Sequence, residues 1–199
     1  MKKLFLMAAM MVATVAASAQ VYVGGGVNFS SSKPSHAKDM KVDTRTSFGI
    51  APEIGYKLDD KLSVGMYLGY NHSKEGNVKT DAFDIKPYAR YTFLKWDKVG
   101  LFAQASFKYT YKKDTDEDND VDEKGNTITV KEEDKTTTWA VGIEPGISVD
   151  LTDKLTFIST IGWLGYSSSK PDGSGIKASS DFGFDVHTSD ITFSLLFNF

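Results

Sequence analysis

Three sets of side chains in this sequence have the types and spacing to do chemistry. Asp114, Asp116, Asp118, Asp120 and Asp122 alternate along one segment, and clustered carboxylates are what a hard cation such as calcium needs. The register of a calcium-binding helix-loop-helix loop is absent, however. Counted from Asp114, its sixth and twelfth positions fall on Asn119 and Gly125, where a glycine and a bidentate glutamate belong; counted from Asp116 they fall on Val121 and Thr127. The run reads as a solvated acidic loop, with cation binding as the alternative. His36, His72 and His187 stand in or beside three different connecting segments, where three imidazoles could meet on a metal or one could serve a serine nucleophile. Serines are plentiful (Ser30 to Ser32, Ser167 to Ser169), but no nucleophile elbow or other short catalytic motif accompanies them. The sequence therefore implies no catalytic residue and no cofactor. The third set is Glu53, Asp84, Lys86, Arg90, Lys108 and Glu144, charges set singly into otherwise alternating apolar segments, with Lys57 and Asp150 sharing the pattern. Such groups either neutralise one another in a closed interior or line a narrow path for ions. The elements that position them decide between these.

Those elements begin after an address. Lys2 and Lys3 precede an apolar stretch from Leu4 to Ala17, broken by Thr14, and Ala17-Ser18-Ala19 offers the small-x-small pattern of a signal-peptidase site. This is the layout of a secretory signal, too short and wrongly flanked for a spanning helix. Residues 1–19 are assigned to it, with cleavage before Gln20. No cysteine follows the apolar run, which excludes a lipid-anchored lipoprotein. Removing Lys2 and Lys3 takes the net charge from −3 to −5, against the basic footprint that nucleic-acid binding requires. The absence of cysteine also removes disulfides and thiolate metal sites. Beyond the signal no apolar run approaches eighteen residues, so any membrane crossing must use strands.

The remaining chain alternates with period two. In Leu62 to Asn71, Leu62, Val64, Met66, Leu68 and Tyr70 share one face and Ser63, Gly65, Tyr67, Gly69 and Asn71 the other. Seven further segments do the same: Val21–Phe29, Phe48–Leu58, Phe83–Phe93, Val99–Tyr109, Trp139–Leu151, a segment whose apolar face is Leu155, Phe157, Ile161 and Trp163, and Ile191–Phe199. Each has the length, about 10 residues, that a tilted strand needs to cross hydrocarbon. Short connections (Asp59 to Lys61, Lys95 to Lys98, Thr152 to Lys154) alternate with long ones (Ser31 to Arg45, Ser73 to Ala82, Lys112 to Thr136, Ser167 to His187). The third long connection alternates again from Thr127 to Lys131, so its strands are expected to continue as a hairpin above the membrane, turning at Gly125-Asn126. Pro52, Pro87 and Pro145 recur within strands, each ahead of an Asp-Lys turn, and a bulge or kink is expected at each because proline removes a ladder donor.

Two compositional features place the apolar face in lipid. The opposite face is rich in glycine (Gly24, Gly55, Gly65, Gly142 and Gly146 among others), which would make room in a narrow barrel for inward Tyr22, Tyr67, Tyr88 and Arg90. The apolar face carries aromatics at both ends. Tyr56, Phe93 and Trp96 lie near the short turns, and Tyr70, Phe83, Tyr109, Tyr111, Trp139 and Trp163 lie near the long loops.

The signal, the eight alternating strands, the Asp-Lys turns and the terminal Ile191, Phe193, Leu195, Phe197 and Phe199 resemble the small outer-membrane β-barrel family, the OmpA/OmpX-like barrels. The resemblance covers Gln20 to Phe199. It implies an all-β, eight-stranded antiparallel up-and-down transmembrane barrel in the bacterial outer membrane, with lipid as its surroundings. It also implies that the last strand is the signal read by the outer-membrane assembly machinery. No peptidoglycan-binding domain follows the barrel, so anchoring to the wall is not implied. The expected function is a non-enzymatic scaffold whose four outer loops meet a surface ligand, host protein or partner. The alternatives are a small passive porin with a narrow polar lumen and an outer-membrane enzyme using a loop histidine.

Overall fold

A computed structural model describes residues 20–32, 44–121, 127–173, 177–185 and 191–199. The signal segment, His36, His187 and the proposed Gly125-Asn126 turn lie outside the described residues. Among the described residues there are ten strands: β1 (Val21–Ser32), β2 (Arg45–Lys57), β3 (Leu62–Glu75), β4 (Val78–Trp96), β5 (Val99–Val121), β6 (Thr127–Asp150), β7 (Leu155–Thr160), β8 (Trp163–Pro171), β9 (Ser179–Asp185) and β10 (Thr192–Asn198). All pairings are antiparallel. Each of β1 to β6 pairs with the next, β6 continues onto both β7 and β8, β8 pairs with β9, and β10 joins β7 to β1. The result is an eight-stranded closed barrel in which β7 and β8 make one wall strand, interrupted at Ile161-Gly162, and β9 and β10 contribute to another. No described helix is long and apolar enough to cross a membrane.

The alternation read from the sequence sorts the side chains as expected. Val64, Leu68, Phe107, Val141, Ile143 and Leu195 are exposed on the outside, while Tyr22, Tyr88, Phe102, Ile158 and Leu196 are buried within. A hydrocarbon-facing wall needs this inversion of a soluble core, because closed ladders satisfy the backbone and lipid takes the apolar side chains. The glycines give the inward aromatics their space. A Cβ on Gly55 would sit 2.2 Å from the Tyr22 ring, one on Gly65 2.4 Å from the Tyr88 hydroxyl, and one on Gly146 2.3 Å from the Phe102 ring.

Four expectations are corrected. The first concerns Trp163, placed above on the lipid face. β6 meets β7 in the register Gly146↔Thr160 but meets β8 in the register Gly142↔Gly165, so one extra residue has entered between them. It is Gly162, whose φ of 72° only glycine adopts freely. The insertion inverts the phase: Leu164 faces out, and Trp163 turns inward against Gly142 and Gly165. The second concerns the prolines. Register is preserved across Pro52 and Pro87, and the ladder merely skips Ala51-Pro52 on the β3 side and Lys86-Pro87 on the β5 side. Among the described residues the bulges are at Phe93, between Thr92 and Leu94, and at Gly162, next to Ile161, whose amide donates to the Pro145 carbonyl at 2.9 Å. The third is that the connection from Ser73 to Ala82 is strand up to a two-residue turn at Gly76-Asn77, where Gly76 has φ 59°. The last is that the segment from Ser167 to His187 contains the end of β8 and the whole of β9.

The wall is uneven around its circumference. β5 and β6 pair without a break from Val99↔Val149 to Val121↔Thr127, so the hairpin expected from the sequence rises about 10 residues, roughly 30 Å of strand, past Tyr111. At the opposite side β1 pairs with β10 only from Tyr22 to Gly25 among the described residues. Above that point Val27 and Phe29 are 81% and 73% exposed.

Candidate functional site

The charges set into β2, β4, β5 and β6 converge across the lumen. Inward parity and similar height bring Glu53 and Arg90 together: Arg90 Nη2 donates to Glu53 Oε1 at 3.1 Å, and both side chains are buried. The guanidinium also donates to Gln104 Oε1 through Nε at 3.1 Å and Nη2 at 2.9 Å, and to the Tyr67 hydroxyl at 3.0 Å. Its flat faces are covered by the Tyr88 ring, with a centroid at 4.8 Å, and the Phe102 ring at 5.0 Å. On the acid side, Tyr88 donates its hydroxyl to Glu53 Oε1, and Tyr22 donates to the Tyr88 oxygen at 2.7 Å. Gln104 passes the network on, donating to Glu144 Oε2 at 2.8 Å, while Lys86 donates to Glu144 Oε1 at 2.6 Å. Two cations and two carboxylates therefore neutralise one another in the barrel's middle. Gln104 is 0% and Tyr22 1% exposed.

Asp84 and Lys108 form a separate pair higher in the lumen, 3.4 Å apart, and the Thr110 hydroxyl also donates to Asp84. Lys57 and Asp150 stand below the network, in a cavity of about 610 Å³ that opens at the short-turn end and is lined also by Arg90, Tyr22 and Lys95. Lys95 is 3.2 Å from Asp150. A smaller cavity of about 260 Å³ at the other end is lined by Arg45, Ser73, Glu75, Thr80 and Lys112. The network separates the two. One acceptor in it, Glu53 Oε2, is buried with no hydrogen-bond partner.

Sequence reasoning assembled Glu53, Lys86, Arg90 and Glu144 but missed their couplers, Gln104 and Phe102. The parity of β5 already puts both inward. An amide and an aromatic among Gly100, Ser106 and Lys108 are the signal that could have found them.

Among the described residues the acidic run is strand. Asp114 and Asp116 sit on β5, paired with Asp134 and Glu132 of β6, and Asp118 and Asp120 continue that strand. Asp122 lies outside the described residues. Asp114 is held by Lys112 at 2.8 Å and Thr80 at 2.5 Å, which keep its carboxyl below the usual range against the opposing effect of partial burial. Among the described residues no group of three acidic or imidazole side chains is placed to hold a metal. His72 contacts Asp81 at 2.8 Å, and Tyr70 donates to the same oxygen at 2.7 Å, so this histidine has a carboxylate partner at the outer surface.

In the terminal strand Phe193, Leu195 and Phe197 face lipid. Phe193 stacks on Phe157 at 5.6 Å, and Phe197 meets Phe199 edge-on at 5.2 Å. The Phe199 amide donates to the Val21 carbonyl at 3.2 Å, closing the barrel.

Three solved structures are similar to this chain, each with a TM-score of 0.49. Neisserial surface protein A is 13% identical, with 92% of this chain and 98% of that one covered. The E. coli outer membrane protein W is 12% identical, with 90% and 97% covered, and OprG from Pseudomonas aeruginosa is 15% identical, with 90% and 96% covered. No curated protein sequence matches. The family model described as the outer membrane protein beta-barrel domain matches residues 4–199, and the chain belongs to that family.

Proposed function

We propose that this barrel is a non-enzymatic scaffold of the outer membrane, closed to solutes and working through what it displays above the bilayer. The observation that carries this reading is the neutral network of Arg90, Lys86, Glu53, Glu144 and Gln104, stacked with Tyr88 and Phe102, which fills the cross-section. An eight-stranded barrel has an interior just wide enough for such filling. The display element is the hairpin of β5 and β6. Beyond Lys135, β6 has no neighbouring strand on its β8 side among the described residues, leaving a backbone edge to which an extended partner segment can add. Residues 1–19 serve as the export signal. Ile191, Phe193, Leu195, Phe197 and Phe199 serve as the recognition strand for the assembly machinery.

The second reading, a narrow gated pore, draws on the two cavities either side of the network and on the unpartnered Glu53 Oε2, which offers Arg90 or Lys86 an alternative partner. Single-channel recording in a planar bilayer separates the two. The scaffold reading expects a silent wild-type barrel that conducts only when Arg90→Ala opens the network. Stable wild-type openings would replace it with the pore reading.

A further inference from the structure

Above the outer aromatic belt the ladder sorts its charges by face. The belt is the row Tyr70, Phe83 and Tyr111, strand-mates on β3, β4 and β5, with Trp139 and Tyr166 in ring contact at 5.2 Å on β6 and β8. The same outward parity, carried upward, gives Lys74, Lys79, Lys113, Lys131 and Lys135, with Lys170 in the belt row itself opposite Thr137. Four carboxylates share this face: Asp81, Glu117, Glu133 and, just past the end of β8, Asp172, whose amide donates to the Lys135 carbonyl. The inward face of the same strands is the reverse, with Glu75, Asp114, Asp116, Glu132 and Asp134 against Arg45 and Lys112. Contacts follow this sidedness. Lys79 (2.7 Å) and Lys131 (2.9 Å) both hold Glu117, and Lys113 holds Glu133 at 2.6 Å, all on the outward face. Lys112 holds Asp114 on the inward face.

Two features of the outward face run against isolated stability. Lys74 stands directly opposite Lys79, and Lys113 directly opposite Lys135. Like charges in cross-strand positions destabilise a sheet. Lys113 and Lys135 also lie two residues above the Tyr111 row, and Lys170 lies within it on the neighbouring strand, at the height of the aromatic rings that mark the membrane interface. An outward side chain at that height points at lipid headgroups, and a lysine stem can lie along the wall while its ammonium reaches them.

We propose that Lys113, Lys135 and Lys170, with the Lys74 and Lys79 pair beside them, form a docking surface for the phosphate groups of an outer-leaflet lipid. A phosphate between two opposed ammonium groups turns their repulsion into a bridge, and the aromatic row below supplies the contact for the acyl region. The opposite charge on the inward face confines the anion to the outside of the wall.

The test uses the intact barrel in phosphatidylcholine nanodiscs, titrated with fluorescent lipid A in phosphorylated and dephosphorylated forms. The phosphorylated lipid is expected to bind the wild type, and Lys113→Gln with Lys135→Gln and Lys170→Gln is expected to weaken it about a hundredfold, at the usual contribution of each surface lysine. Arginine at the same three positions should restore binding, and Lys112→Gln on the inward face should leave it unchanged. Equal binding of the dephosphorylated lipid to the wild type would overturn the proposal, and this arm stands even where the glutamine variant fails to fold. So would an unchanged affinity in a folded glutamine variant, or full competition by inorganic phosphate, which would point to a free-anion site.

Discussion

The barrel's middle and the hairpin above it are built on the same ladder, and both pair lysine or arginine with carboxylates, yet the pairs do different physical jobs. Arg90 and Glu53 are withdrawn from water and held by three further polar side chains and two rings. Glu117 and Glu133 meet their lysines in the open. Buried, a charge left without its partner is costly; exposed, water and salt replace the partner at little loss. The ladder sets which residues meet, and the surroundings set what the meeting is worth.

That contrast is broken most directly at Arg90. Replacing Arg90 with Met should strand the Glu53 carboxylate and cost about 3–5 kcal/mol, read as a lowered urea midpoint by heat-modifiable gel mobility. Adding Glu53→Gln should recover most of it; no recovery would mean the pair's role is packing rather than charge. Gly146→Val comes next. Its Cβ would lie 2.3 Å from the Phe102 ring and 2.6 Å from the Ser159 carbonyl, and overpacking of this kind costs about 1–3 kcal/mol. Gly183→Ala, with nothing within 4 Å of the new methyl, is the control and should unfold at the wild-type urea concentration.

The hairpin's effects are smaller and appear in titration. Hydrogen bonds from Lys79 and then Lys131 lower the Glu117 carboxyl to about 2. A depressed carboxylate contributes stability above its unfolded value near 4.5, and that contribution fades as pH falls toward about 2. Carboxyl-carbon NMR should find the Glu117 midpoint near 2, and Lys79→Gln should move it upward; a midpoint already near 4.5 would mean the lysines are not engaged in solution. Lys113→Gln should leave the urea midpoint within error. A clear drop there would show that the exposed pairs carry more of the fold than their surroundings allow.

The strands, the inward charges and the belts were legible in the sequence because period two is strict in a wall that separates lipid from lumen. The miss at Trp163 has the same origin. Alternation is read by counting, and one inserted residue, Gly162, reverses every assignment after it without altering composition. Pro52 and Pro87 were overread for the opposite reason: the ladder can drop a bond locally and keep its register. Gln104 was passed over because a neutral amide draws no attention among charges, although it links Arg90 to Glu144. The length of β3 and β4 beyond the membrane was hidden because a polar, water-facing strand looks like a loop until its partner is known.

The Gly162 insertion leaves the molecule with three built-in optical reporters in three settings. Trp96, 82% exposed, stands in the belt at the short-turn end; Trp139 stands in the outer belt; Trp163 looks into the lumen. Brominated acyl chains should quench the emission of the first two and spare the third, while a water-soluble quencher small enough to enter the mouth should reach the third from above. The fluorescence of one unlabelled protein can thus follow both leaflets and the interior at once during insertion into a bilayer.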